Sequence, residues 1–521
     1  MMSKGSLPNA DALEPTLPKK YLLKTLGCKA NLYDSQLIEA ELQKRGWVAA
    51  DSDSEEAGLV DLAIVNSCTV TDEADRQSRK MATRLGKVQQ KAKVVLTGCG
   101  AEVDPEKLSK TPGVDYIIGN QNKPSLVDLV LQAIDGSESL SNYTDSQNLK
   151  QATVLGGVEN YGEMISRHPM DRDWPAPEKS FFTPPAGHEG EAARTRAFLK
   201  IQEGCNSFCT YCVIPYGRGP NRSLRIPEVV QQVKTLVSQG VREVVVTGTN
   251  IGDYGTDWAP TLQHVELFKA ILAETSLERL RVSSLDPTEI TPDLIELMKR
   301  DTRLCPHFHV SLQSVPTRVL RTMKRKYGFE EVKACLDAIA EIPAPAGGVF
   351  VGMDIITGFP TESREEFDWG VEQLKQLQWS RLHVFPYSER SGTPATRLKP
   401  SVPHAERVRR GKVLRELSFE RLKSLHERTL AELKKSSRPL QRILLEGGVK
   451  APDGRIRWIA GYTPNYLRVL LPLAQQEVPH GAEADFIAKW SNQIVDALPL
   501  ELVLDRDSGD IAIGAKWLSR G

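Results

Sequence analysis

A nine-residue loop constrains this chain more than any other feature. It reads Gly-Cys-Asn-Ser-Phe-Cys-Thr-Tyr-Cys, with Cys205, Cys209 and Cys212 in C-x3-C-x2-C spacing. Three thiols this close either share a metal centre or pack as small apolar side chains, and so tight a spacing argues for the centre. Zinc favours a closed tetrahedron of four protein ligands, yet no fourth Cys or His follows within twenty residues downstream. Three ligands suit an iron–sulfur cluster that keeps one iron open, and an open iron is a place for chemistry.

Three further cysteines close strand-like runs near the start of the chain. Residues 21–26, 61–65 and 93–97 are short apolar runs that end at Gly27-Cys28, Asn66-Ser67-Cys68 and Gly98-Cys99-Gly100. Each is followed by a helical pattern, the second capped by Thr71-Asp72-Glu73. Strands alternating with helices predict a parallel sheet whose strand carboxyl ends gather on one edge. That topology would bring Cys28, Cys68 and Cys99 into one crevice as a second three-thiolate site. Asn31, Asp34, Ser35 and Arg79 lie near it, either as capping and solvated residues or as contacts to the site.

With 521 residues the chain has room for several domains, and it predicts five segments. Residues 21–135 form the first α/β unit. Residues 136–195, rich in Ser, Asn, Gly, Pro and Asp, read as a linker whose Trp174, Phe181 and Phe182 dock it onto a neighbour. In residues 196–394, strand-like runs at 198–202, 243–247, 280–283, 307–312, 348–355 and 381–385 alternate with helices, predicting an open (β/α) barrel. Residues 395–436 are a helical connection with Leu414, Leu417 and Leu425 on one face. Residues 437–521 hold short strand-like runs at 440–446, 455–460, 466–471, 485–490 and 498–503, which predict a small antiparallel barrel of the oligonucleotide-binding kind.

Composition narrows the function classes. Eight cysteines are too sparse for a disulfide scaffold and suit metal ligation in a reducing cytoplasm. No apolar run spans a bilayer, and residues 1–20 have no apolar core, so neither membrane insertion nor export is expected. Sixty-seven basic residues balance 67 acidic ones, so nucleic-acid binding would rest on local patches. One candidate patch is the run Arg318, Arg321, Lys324, Arg325 and Lys326, equally readable as a solvated helix face. Another is the interleaved Arg455, Arg457, Trp458, Tyr462, Tyr466 and Arg468 on the terminal barrel, which could stack bases or simply pack. Gly248, Thr249, Ser283, Gln313 and Asp354 follow or end predicted barrel strands and would line a pocket on one rim. His307, His309 and His383 are expected as packed strand residues, and Cys305 and Cys335 as structural thiols.

The C-x3-C-x2-C loop, with an aromatic before its last cysteine, resembles the signature of radical S-adenosylmethionine enzymes. Joined to Cys28, Cys68 and Cys99 and a terminal β-barrel, the chain from residue 21 onward is similar to the radical methylthiotransferase family. Thr25-Leu26-Gly27-Cys28-Lys29, Asn66-Ser67-Cys68-Thr69-Val70-Thr71 and Thr97-Gly98-Cys99 are most similar to its tRNA threonylcarbamoyladenosine branch. Other branches act on isopentenyladenosine in tRNA or on an aspartate of a ribosomal protein. The chain departs from the pattern in the 136–195 segment and at Ser67, where Thr is more usual.

The resemblance implies two 4Fe-4S clusters, and S-adenosylmethionine as both radical and methyl source. The loop cluster would chelate S-adenosylmethionine, and a deoxyadenosyl radical would take hydrogen from adenine carbon 2. The Cys28, Cys68 and Cys99 cluster would present sulfur. Tyr211, Gly248, Thr249, Ser283, Gln313 and Asp354 would contact the cofactor. Arg318, Arg321, Lys324 and Arg325, with Arg455, Tyr462, Tyr466 and Arg468, would hold the anticodon stem-loop. An external electron donor and a sulfur source are implied as well. The competing class is a non-catalytic iron–sulfur RNA-binding or redox protein. A pure electron carrier normally uses four protein ligands per cluster, so three at each site favour the enzyme.

Overall fold

A computed structural model describes residues 18–50, 60–135, 152–155, 174, 195–451, 453–476, 478–479, 481–505 and 510–518. Phe181 and Phe182 lie outside these residues, as does most of the expected linker.

The first sheet is built from β1 (Lys20–Thr25), β2 (Val48–Ala49), β3 (Leu62–Ser67), β4 (Lys93–Gly98), β5 (Tyr116–Ile118) and β6 (Thr153–Leu155). Its order is β2-β1-β3-β4-β5-β6 and every pairing is parallel. β3 is buried along its whole length, as the centre of a sheet covered on both faces must be. Helix α1 (Lys29–Lys44) covers one face through Ile38 and Leu42, and α2 (Asp72–Val88) the other through Ala82 and Leu85. The Thr71 side chain caps α2 by accepting from the Ala74 amide at 3.1 Å. β6 falls inside the stretch expected as a linker, because a three-residue apolar run does not stand out from its polar surroundings. Trp174, from the same stretch, lies under the Arg222 guanidinium at 5.3 Å.

The second unit runs through β7 (Arg196–Glu203), β8 (Arg222–Ser223), β9 (Glu243–Gly248), β10 (Arg279–Val282), β11 (Ser284–Leu285), β12 (His307–Gln313), β13 (Phe350–Thr357) and β14 (Arg381–Pro386). Two four-stranded sheets, β10-β9-β7-β8 and β11-β12-β13-β14, are bridged between Leu280 and Leu304. Only the short β8 pairs antiparallel; the other pairings are parallel, giving an open barrel. Alternation along β7 sends Leu199 and Ile201 to the helix-covered core, leaving Arg196 and Phe198 to face the lumen.

Helix α3 (His404–Lys435) buries Leu414, Ser418, Leu422, His426 and Leu433 and leads into the terminal barrel. That barrel closes in the order β15-β16-β17-β19-β18, from β15 (Leu440–Lys450), β16 (Ile456–Tyr462), β17 (Arg468–Pro472), β18 (Ile494–Asp505) and β19 (Asp510–Trp517). One of its five pairings, β17 with β19, is parallel. The run at 485–490, expected as a strand, is instead part of helix α4 (Glu483–Trp490). Its apolar residues follow a helical spacing: Phe486 and Trp490, one turn apart, meet at 5.9 Å and pack onto Trp517. β19 supplies the fifth strand in its place.

Candidate active site

The loop after β7 is held open by backbone that only glycine can adopt. Gly204 has φ of +77°, and a Cβ there would sit 1.8 Å from the Pro220 carbonyl oxygen. N–H donors then point at the sulfurs. Ser207 and Ile214 amides donate to Cys205 Sγ and Cys212 Sγ at 3.5 and 3.4 Å, and Arg325 Nη1 donates to Cys209 Sγ at 3.1 Å. Such donors suit anionic sulfur, the form that ligates iron. Arg325 is only 8% exposed and is also ion-paired with Asp286. The basic run is therefore divided. Arg325 turns inward onto the loop, Arg318 is bound to Glu366 and Thr361, and Arg321 and Lys324 remain exposed.

The second triplet is assembled from three strand ends. Cys28 and Cys68 follow β1 and β3, and Cys99 follows β4 at the start of a short helix. Gly27 permits the approach, since a Cβ there would lie 2.7 Å from both Cβ and Sγ of Cys68. Burial pushes the Cys68 thiol up to about 12, with the Cys99 and Cys28 sulfurs adding to it. Cys99 Sγ accepts from Asn120 Nδ2 at 3.3 Å and from Arg218 Nε at 3.2 Å. Asn31, expected as a cap or contact, donates to the Ser67 carbonyl and accepts from Arg218.

Arg218 belongs to a buried charge network across the two units. Asp34 pairs with Lys123 at 2.8 Å, Lys200 at 2.5 Å and Arg218 at 3.1 Å, and Glu203 pairs with Lys200 and Arg218. All five side chains are at most 5% exposed. Lys123, Lys200 and Arg218 hold the Asp34 carboxyl well below its usual range, and Arg218 and Lys200, with Arg222, hold Glu203 at about 2. Three cations face two carboxylates, so one positive charge remains beside Cys99. Burying it requires an anion, and thiolate sulfur fits that need.

Both triplets therefore fit iron–sulfur clusters. Among the described residues no three His, Cys, Asp or Glu side chains converge as ligands of a single ion do. Cluster ligands stand further apart, one thiolate per iron.

The structure places the rim residues expected from sequence in or just after barrel strands, and Thr249 among them touches the loop of the first triplet. Gly248 ends β9, Thr249 Oγ1 accepts from the Gly204 amide at 3.2 Å, Ser283 follows β10, and Gln313 ends β12 with φ of +62°. Asp354 sits deeper, inside β13, and pairs with His309 at 2.9 Å. Tyr211 packs edge-on against Phe359 at 6.3 Å, within a small apolar cluster with Val319, Met323 and Tyr387. Sequence reasoning did not single out Glu289. Burial and the neighbouring Asp286 raise its carboxyl to about 7.

Tyr462 and Tyr466, expected on an RNA-facing surface, stack on each other at 4.8 Å beneath the open barrel. Arg196 covers both rings, Arg281 covers Tyr466, and Arg468 bonds the Tyr462 hydroxyl. Arg279 and Arg281 donate to the carbonyls of Tyr462, Thr463 and Pro464. These residues form the lumen floor and join two units, whereas Arg455 is exposed. A basic groove of about 830 Å³ was also absent from the sequence reading. Arg76, Lys80, Arg84 and Lys87 line it from one face of α2, with Lys107 and Lys110 opposite.

A parallel open barrel with a three-cysteine loop after its first strand defines a radical S-adenosylmethionine enzyme, and the second triplet marks one with an additional centre. Residues 199–373 match the Radical SAM superfamily and residues 20–119 match the uncharacterized protein family UPF0004. A threonylcarbamoyladenosine tRNA methylthiotransferase, MtaB, of Aquifex aeolicus (strain VF5) is 34% identical over 409 residues, covering 78% of this chain and 90% of the relative. The chain belongs to the radical S-adenosylmethionine methylthiotransferase family, on its threonylcarbamoyladenosine branch. A tRNA-2-methylthio-N(6)-dimethylallyladenosine synthase of Carboxydothermus hydrogenoformans (strain ATCC BAA-161 / DSM 6008 / Z-2901) is 28% identical, covering 84% and 90%. Among solved structures, the radical S-adenosylmethionine methyltransferase TsrM of Kitasatospora setae shares the fold, with a TM-score of 0.52 at 16% identity over 73% of this chain and 74% of that one.

Proposed function

We propose that this protein transfers a methylthio group to carbon 2 of N6-threonylcarbamoyladenosine, next to the anticodon of tRNA. One observation carries the reading: the segment holding the first triplet continues, six residues past Cys212, to Arg218, whose guanidinium touches the second triplet at Cys99. The two centres are thus tied by one stretch of backbone and by the Asp34 network. A non-catalytic carrier has no use for two incompletely ligated centres locked together.

When bound, the two 4Fe-4S clusters and S-adenosylmethionine supply one-electron chemistry able to replace hydrogen on an inert aromatic carbon. Cys205, Cys209 and Cys212 would hold the first cluster, and Cys28, Cys68 and Cys99 the second. Gly248, Thr249, Ser283 and Gln313 would orient the polar groups of S-adenosylmethionine on the rim. Arg325 and Arg218 hold positive charge against ligating sulfur at the two centres. The Asp34 network fixes the spacing between them and excludes water from their junction.

The exposed Arg321, Lys324 and Arg455 and the α2 groove are the surfaces on which the anticodon stem-loop phosphates would rest. An external reductant in a cytoplasmic setting would supply the electron. No helix of the described residues is long and apolar enough to cross a membrane.

Mass spectrometry of tRNA nucleosides from a deletion strain tests the reading. Loss of 2-methylthio-threonylcarbamoyladenosine is expected; loss of the isopentenyl form would move the substrate to the other tRNA branch. Reconstituted protein given dithionite and S-adenosylmethionine should release 5'-deoxyadenosine, and none above blank at full cluster loading would end the radical assignment.

A further inference from the structure

Lys29 follows a ligating cysteine, and its side chain turns into the open barrel. Its close contact there is the face of Phe198 on β7, 5.9 Å away. Electrostatically it meets Tyr466, Arg196 and Arg281 from the floor and Asp354 from β13. Lys29 nevertheless keeps an exposed surface, which marks a lumen reached by solvent.

Other charges of this lumen are already matched. Arg196 pairs with Glu446 at 2.5 Å, Arg279 and Arg281 each pair with Glu243 at 2.7 Å, and His309 pairs with Asp354 at 2.9 Å. Lys29 has no hydrogen bond or ion pair among the described residues. Lys29 is the lumen cation left without a paired carboxylate, in a place that solvent and a ligand can both reach, so its ammonium is open to an anionic group of a bound ligand. Lys29 follows Cys28 in the chain, so a ligand anchored by its ammonium is held next to the second triplet.

We infer that Lys29 binds the free carboxylate of the substrate's threonylcarbamoyl group inside the barrel lumen, and so selects a base bearing that anion. The inference rests on the threonylcarbamoyladenosine reading above. In that nucleoside the threonine nitrogen is consumed by the carbamoyl linkage, leaving its carboxylate ionised and its hydroxyl free. An isopentenyl substituent offers neither group, and pairing it with Lys29 would leave the ammonium unsatisfied. Rejection of an analogue that lacks the expected polar group is the stronger form of specificity.

The experiment measures binding of three synthetic anticodon stem-loops to cluster-loaded protein. They carry threonylcarbamoyladenosine, its threonine methyl ester, or unmodified adenosine. Wild type should bind the acid about ten-fold or more tighter than the ester, the size of a charge-assisted hydrogen bond. Lys29→Met should abolish that difference while leaving the ester and unmodified affinities within about two-fold, and Lys29→Arg should restore most of it. Iron content and visible absorption of each variant report whether the neighbouring centre has survived. The ester comparison on wild type needs no variant at all.

An acid and ester bound equally well by wild type overturns the inference. So does an equal loss on all three RNAs in Lys29→Met, which makes Lys29 a general phosphate contact. A deletion strain that keeps its 2-methylthio-threonylcarbamoyladenosine removes the underlying functional reading instead. A strain that loses the nucleoside, with no acid–ester difference, removes only the role of Lys29.

Discussion

Cys205, Cys209 and Cys212 sit on one loop, whereas Cys28, Cys68 and Cys99 lie 40 and 31 residues apart and meet only because β1, β3 and β4 are neighbours. The ligands of the first centre are set by local backbone, one left-handed glycine and two amides on sulfur, and tertiary structure adds one arginine from the same unit. The second is a property of the tertiary fold. Its arginine comes from the other unit and sits in a five-charge network that also binds that unit in place. The same ligand set is thus made cheaply where its geometry is local. Where it is assembled, it depends on the stability of the whole molecule.

The largest effects should separate the two centres by reaction. Cys205→Ala should abolish both 5'-deoxyadenosine release and methylthiolation. Cys28→Ala should keep the first and lose the second, as read by chromatography of the two products at matched iron content. Loss of both in Cys28→Ala, with the fold retained, would break the division of labour between them.

Next come the two arginines. Arg218→Gln leaves Lys123 and Lys200 to the two carboxylates but removes the guanidinium that Asp34, Glu203, Asn31 and Cys99 Sγ share in a fully buried site, which should cost about 3 kcal/mol and lower the iron bound by the second centre. Arg325→Gln unpairs one carboxylate, Asp286, and removes donors from Cys209 Sγ and the Tyr327 hydroxyl, and should cost less, about 2 kcal/mol. Denaturant midpoints of the loaded proteins compare them. Equal losses would mean that the second centre is no more integrated into the fold than the first.

Legibility from sequence followed the same contrast. The loop triplet was visible from spacing alone. The strand-end triplet was visible because apolar runs ending in Gly-Cys or Ser-Cys three times over imply one sheet edge. Hidden were partnerships made by tertiary contact. Asp34 looks like an ordinary helix-start carboxylate until Lys200 and Arg218 arrive from more than 160 residues away. Arg325 looks like one of a basic run until its backbone turns it onto Cys209. The pair Tyr462 and Tyr466 has the composition of a stacking surface, yet its rings serve the lumen floor, since aromatic and basic residues pack against each other as well as against bases. Residues 485–490 misled because a short apolar run has no decisive period until its turn partners are known.

A pH titration should sharpen the contrast from the first centre's side. Glu289, one turn from Asp286, is raised from the usual carboxyl value to about 7, chiefly by burial. Between about 4.5 and about 7 the folded chain therefore holds a proton that the unfolded chain releases, so stability falls as pH rises through this window and levels off above it. Glu289→Gln cannot ionise and keeps an oxygen for the Asp286 amide, 2.7 Å away in wild type. The variant should match wild type near pH 5 and exceed it by about 2 kcal/mol at pH 8, read from unfolding midpoints. A constant difference across that range would mean that Glu289 does not titrate in it.

The smallest expected effect concerns how RNA reaches the assembled centre. α2 starts just after Cys68, and Arg76, Lys80, Arg84 and Lys87 recur along one of its faces beside the groove. Arg76 is tied to Glu73, Lys107 to Asp75 and Lys110 to Glu106, while Lys80 and Lys87 stay exposed with no ion pair among the described residues. Replacing both Lys80 and Lys87 by Gln should weaken tRNA binding only a few-fold at physiological salt. The plot of log affinity against log salt should then flatten by about one to two, one counterion release for each lost phosphate contact. An affinity loss without any change in that slope would place the contacts elsewhere, on the side of the loop centre, where Arg321 and Lys324 offer the competing surface.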